Sequence, residues 1–150
     1  MQGMQAVEAA KRVLGRYWDK TLPVNPSAIL YAMGVRIVYA PELFVSGYLD
    51  LQGGKPVVHI NPRDSFTRQR FTLFHELGHY ILGHDHGAPD SSQDCTSCEV
   101  MADQFAMEMI LPSDAVFLYA NGDYSLARMA QLFNVSEQAM RIRLERLGIL

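Results

Sequence analysis

The segment His75-Glu76-Leu77-Gly78-His79 carries the plainest chemistry in this 150-residue sequence. Two histidines four positions apart lie only about 40° apart around a helix axis, because a turn takes about 3.6 residues, so both rings would face one cavity. Zinc accepts neutral imidazole nitrogen, and two side chains fixed on one rigid helix lose little freedom in binding it. Glu76 stands beside the first histidine, where a carboxylate serves as general base for an attacking water without being a ligand itself. One catalytic Zn²⁺, held by His75 and His79 and served by Glu76, is the expectation. The bland reading is a chance pentapeptide on a solvated helix. Against it, Phe66, Leu73 or Phe74, Leu77 and Ile81 recur every three or four residues, so the motif lies in a helix with a buried face. Histidines and a glutamate buried there without a metal would lose hydration uncompensated.

A catalytic zinc takes three protein ligands and leaves one position open. Metzincins continue the motif with glycine at what would be position 82 and histidine at 85, but Leu82 and Asp85 stand there, and Gly83 and His86 come one residue late. Glu99 is the preferred third ligand. It opens another helix-like stretch, and Asp103 follows one turn later on the same face, an E-x-x-x-D spacing like that of gluzincins. Asp103 would accept the free N–H of a ligand histidine and fix its tautomer. The competing ligands are His86 and an aspartate such as Asp85 or Asp94; the bland role for Glu99 is to complement a helix start. Cys95-Thr96-Ser97-Cys98 precedes it. A single C-x-x-C is weak evidence of a site, so two free thiols are expected first, then a disulfide, then an accessory metal with His84 or His86.

These side chains need a scaffold. Helical spacing runs from Gln5 to Trp18, ended by Pro23 and Pro26, and a short helix from Pro26 to Met33 stops at Gly34. Val35–Tyr39, Leu43–Leu51 and Pro56–Ile60 read as strands, the last two joined by Gly53-Gly54 in a tight turn. The motif helix spans Ser65 to Leu82. A Gly-, His- and Ser-rich loop follows from Gly83 to Thr96, then a helix from Ser97 that Pro112 terminates, a short one capped by Ser113, and two more at Ser125–Phe133 and Ser136–Leu147. The expected fold is α+β: a small three-stranded antiparallel sheet packed with the motif helix and several further helices. Residues 1–150 form one zincin-like domain, with 123–150 a helical C-terminal subregion.

Ile60-Asn61, the run Arg68-Gln69-Arg70-Phe71-Thr72-Leu73-Phe74 leading into the motif, and Glu99-Val100-Met101-Ala102-Asp103-Gln104-Phe105-Ala106 together resemble the ImmA/IrrE metallopeptidase family over roughly residues 25 to 148. The family's Ala-Asn-x-Phe-Ala pattern becomes Ala102-Asp103-Gln104-Phe105-Ala106, which keeps an acceptor at 103, and its Met-Pro ending becomes Leu111-Pro112. The resemblance implies a zinc endopeptidase that cleaves or otherwise inactivates a helix-turn-helix repressor of the Xre/CI type. The residue that would stabilise the oxyanion stays open among Tyr48, Tyr80, His59, His84 and His86.

The bulk properties frame that reading. A net charge of −3 and a pI near 5.9 argue against coating nucleic acid by bulk electrostatics. The first ten residues lack the basic start and apolar centre of a signal peptide, no run reaches a membrane span, and two cysteines make no disulfide framework, so the cytoplasm is the expected compartment. Residues 126–141 resemble a helix-turn-helix, with Asn134 able to take the left-handed turn and Ser136 placed to cap, and Arg141, Arg143 and Arg146 make its end basic. Val135, Met140, Leu144 and Leu147 nevertheless form an apolar stripe suited to packing, so direct DNA binding is ranked below docking or structure. Three classes follow: peptidase first, then an antirepressor acting by binding alone, then a DNA-binding regulator.

Overall fold

A computed structural model describes residues 2–84 and 95–150, with side chains from residue 5 onward. His86, Asp85 and Asp94 therefore lie outside the described residues, as does most of the loop expected after Gly83. The order is α1 (Gln2–Tyr17), α2 (Pro26–Ala32), β1 (Arg36–Tyr39), β2 (Gly47–Gln52), β3 (Lys55–Ile60), α3 (Phe66–Ile81), α4 (Thr96–Ile110), α5 (Ser113–Ala120), α6 (Leu126–Phe133) and α7 (Glu137–Arg146). The fold is α+β as expected. No helix among the described residues is long and apolar enough to cross a membrane.

The sheet departs from the expectation in one respect. It is mixed, not all antiparallel, with order β1-β3-β2: β2 and β3 form the antiparallel hairpin, whereas β3 runs parallel to β1, with Ile37 opposite Val58 and Tyr39 opposite Ile60. After β1 the chain crosses to the far edge before starting β2, and β3 returns through the gap between them in the direction of β1. The composition of β3 suits this central place, since Val57, Val58 and Ile60 are all buried. Residues 43–46, expected at the start of the second strand, lie outside it, with 44–46 in a bend.

Helix starts follow local chemistry. Asn25, Ser65, Ser125 and Ser136 each accept a hydrogen bond from the backbone N–H three residues on, as N-caps do. Asn134 closes α6 in the left-handed conformation at φ 56° and ψ 52°. Ser113 does not cap α5. Its N–H and hydroxyl both donate to Glu108 Oε2 at 2.9 Å, while Glu108 Oε1 accepts from Arg143 Nη2 at 2.8 Å. Arg143 also donates to the Leu111 carbonyl. This buried cluster pins α7 to the α4–α5 corner, and it withdraws Arg143 from the basic end of α7.

The core gathers Ala6, Ala9, Ala10, Val13 and Leu14 of α1, the inner face of the sheet, and the facing sides of α3 and α4. Phe74, Leu77, Phe105 and Met109 are fully buried there. Gly78 is what lets α3 and α4 approach: a Cβ at this position would meet the Phe105 ring and Cβ at 3.0–3.1 Å. Gly78→Ala is therefore expected to cost about 1–3 kcal/mol by overpacking, read as a lower urea midpoint, and to weaken metal binding because the residues that face each other across the same contact move apart.

Candidate metal centre

His75, Glu76 and His79 come from α3 and Glu99 and Asp103 from α4, so the site exists only where the two helices face each other. Glu99 Oε2 lies 2.7 Å from His75 Nε2 and 3.3 Å from His79 Nε2, and the two Nε2 atoms are 3.2 Å apart. One ligand atom from each of the three falls within 4.8 Å of the others, the only such group of metal-binding type among the described residues. Two imidazole nitrogens and a carboxylate oxygen are the donor set of a three-ligand zinc centre.

The outward nitrogens are also engaged. His75 Nδ1 lies 2.8 Å from Asp103 Oδ1, as the i, i+4 spacing of Glu99 and Asp103 requires. His79 Nδ1 lies 2.8 Å from His84 Nδ1. His84 reaches that place because Gly83, at φ 73°, turns the chain back at the end of α3, and the His84 N–H donates to the His79 carbonyl. Two Nδ1 atoms at this distance need one donor and one acceptor. If His79 offers its Nε2 lone pair to a metal, its Nδ1 carries the proton and donates to His84, which then holds its own proton on Nε2. The sequence offered His84 only as an accessory ligand or oxyanion partner; the glycine just past the helix end was the signal for this back-turn. His84→Ala is expected to weaken zinc affinity about 10- to 100-fold, measured by competition with a chromophoric chelator, and His84→Gln, which keeps an acceptor, to lose less.

Burial sets the charge states. Burial, then the nearby His75, holds the His79 imidazole below its ordinary value, which keeps it neutral and able to offer a lone pair. Glu76 is 9% exposed, and its Oε2 sits 4.0 Å from His75 Nε2. Burial first, and the Glu99 carboxylate second, push its carboxyl up to about 8. Such a group, beside but outside a ligand set, is where a proton acceptor belongs.

Two of the oxyanion candidates are removed by the sheet register. Gly47 faces α3, since a Cβ there would meet Thr72 Cγ2 at 2.7 Å, and Tyr48 must then point to the other face. His59, its cross-strand partner, stacks on it with ring centres 4.4 Å apart, away from the centre. Tyr80 is partly buried against the core. Cys95 and Cys98, expected first as free thiols, form a disulfide within the first turn of α4, where their Cα atoms are 5.1 Å apart and within reach of each other.

Residues 32–145 match a peptidase family described as the IrrE N-terminal-like domain. Among solved structures, a Mycobacterium tuberculosis transcriptional regulator shares the fold, with a TM-score of 0.62 and 15% identity over 94% of this chain. The chain spans about half of that regulator's length, 47%. No curated protein sequence matches the chain.

Proposed function

Because the chain belongs to the IrrE N-terminal-like peptidase family, we propose that it is a zinc-dependent endopeptidase acting on a helix-turn-helix repressor of the Xre/CI type and thereby relieving repression. The observation that carries the reading is the convergence of His75, His79 and Glu99 beside the buried Glu76. His75, His79 and Glu99 would hold the metal. When bound, the ion supplies Lewis-acid polarisation and a positive charge that favours the carboxylate form of Glu76.

Glu76 then takes the proton of the attacking water and returns it to the departing amine. Asp103 and His84 hold the outward nitrogens of the two histidines, so both rings keep their orientation. The outer edge of β2 supports a peptide substrate. Among the described residues β2 pairs with β3 alone, and Gly47 brings it against Thr72, one turn before Glu76. An extended segment added along that edge would run past the centre, with main-chain hydrogen bonds for affinity. A repressor substrate would also place the protein in the cytoplasm. The disposition of α7 supports ranking DNA contact low, since Arg143 is spent on Glu108 and Met140 and Leu144 are buried.

The test is to purify the wild type and Glu99→Ala, measure bound zinc per chain, and incubate each with a candidate repressor. About one zinc per wild-type chain is expected, with both zinc and cleavage lost or strongly weakened in Glu99→Ala. A wild type that binds no zinc would turn the reading toward a partner protein acting by binding alone.

A further inference from the structure

A cleft of about 430 Å³ opens between the end of α1, the 18–25 loop, the start of α2 and the first half of α3. Phe66, Gln69, Arg70 and Leu73 line it at helical spacing. At about 100° per residue these positions fall roughly on the opposite side of α3 from His75 and His79, so the cleft is separate from the metal centre.

The unusual component of its wall is Arg70. Among the described residues two arginines are buried, Arg70 at 5% exposure and Arg143 at 8%. Arg143 has the Glu108 carboxylate. Arg70 donates through Nη1 to the Asn134 carbonyl at 2.8 Å and through Nη2 to the Val24 carbonyl at 3.2 Å, and among the described residues no carboxylate forms an ion pair with it. Neutral carbonyls satisfy N–H groups, and the negative end of α6 at Asn134 offsets part of the charge, but no carboxylate neutralises it. Burial accordingly lowers the Arg70 pKa. Among the described residues its Nε–H has no partner, and the atom is not fully buried. Asp19 also lines the cleft, but it is exposed and its Oδ1 is occupied by the N–H and hydroxyl of Thr21. The remaining wall sets Tyr17, Tyr39, Phe66 and Ile60 beside the polar Asn25, Ser27 and Gln69.

We propose that this cleft binds a small carboxylic acid with an apolar tail, its carboxylate on Arg70 and its tail among Tyr17, Tyr39 and Phe66. The guanidinium N–H groups left over from the two carbonyls suit a carboxylate, and a cleft of this size, with an apolar portion beside a few polar groups and a buried cation, has the form of a small-molecule site. The proposal stands apart from the metallopeptidase reading. It adds a ligand that would bind the 18–25 loop, α3 and the C-terminal helix pair together, because the Val24 and Asn134 carbonyls hang on the same guanidinium.

The test titrates the whole chain with hexanoate and indole-3-acetate, and with the corresponding neutral amides, following amide shifts by NMR. The acids are expected to bind saturably and at least tenfold more tightly than the amides, a difference of about 1.4 kcal/mol. Phe66→Ala, at a position 70% exposed and therefore harmless to folding, should weaken the acids at least threefold, and Arg70→Lys should reduce the preference for acid over amide. Equal binding of acids and amides, no saturation up to about 10 mM, or affinities unchanged in Phe66→Ala would overturn the proposal, whether or not Arg70→Lys folds.

Discussion

Glu76→Gln is expected to slow peptide hydrolysis about 10²- to 10⁴-fold while zinc stays bound, the signature of a lost general base. Gln keeps the shape of the side chain, and the residue is not among the three that would hold the metal, so zinc content should match the wild type. The same substitution should raise the stability of the metal-free protein in mild alkali. The Glu76 carboxyl titrates near 8 in the folded chain against an ordinary 4.5. Between those values the folded state keeps a proton that the unfolded state has released, so stability is full below about pH 4.5 and is lost as the pH rises through about 8. The loss is of the order of a few kcal/mol, and Gln, which cannot ionise, removes it. His79 works in the other direction, since its lowered pKa withdraws stability as the pH falls below the ordinary histidine range. Melting curves of metal-free wild type and Glu76→Gln should therefore nearly coincide below about pH 5, diverge progressively as the pH rises to about 8 and stay apart above it; parallel curves would contradict the buried state of Glu76. The variant also separates catalysis from docking, because full relief of repression by a Glu76→Gln protein that cleaves nothing would favour action by binding alone.

Glu108→Ala is expected to destabilise the fold by about 3–5 kcal/mol, a large share of the roughly 5–15 kcal/mol that holds a domain together. The change strips Arg143 of its counter-charge and leaves the Ser113 N–H and hydroxyl without their acceptor in a buried place. Replacing both partners, as in Glu108→Leu with Arg143→Met, should recover most of the loss, since the cost lies mainly in the orphaned charge. Urea unfolding of Glu108→Leu, Arg143→Met and the double variant measures the cycle. Additive losses would show that the pair does not act as a unit.

The helices were legible because their signals are local. The apolar period of α3, the serines at 65, 125 and 136, and the left-handed Asn134 each act within a few residues, and each has its expected place. The placement of Glu99 beside the histidines was legible in part: its four-residue spacing to Asp103 is a fact of one helix, and the pairing of that helix with α3 had to be supplied by the fold. What stayed hidden depends on distant partners. The parallel pairing of β1 with β3 follows from where β2 settles, which no strand pattern encodes. Arg143 looked like one member of a basic surface because Glu108 lies 35 residues away in the chain. Ser113 looked like a cap for want of the same carboxylate. Arg70, inside the motif-bearing helix, looked like any arginine on a helix until Val24 and Asn134 were seen to meet on it.

The division of the candidate metal centre between two helices would, under the proposed function, tie the chain's persistence to zinc supply. Three groups that contact each other only when α3 lies against α4 would hold an ion well only in the native state, so under the proposed function occupancy and folding are linked. At free zinc about a hundredfold above the dissociation constant the native state would gain about 2.7 kcal/mol, and none in zinc starvation. The chain's lifetime against cellular proteases would thus track zinc availability, and a drop in zinc would remove the peptidase by clearance as well as by loss of activity.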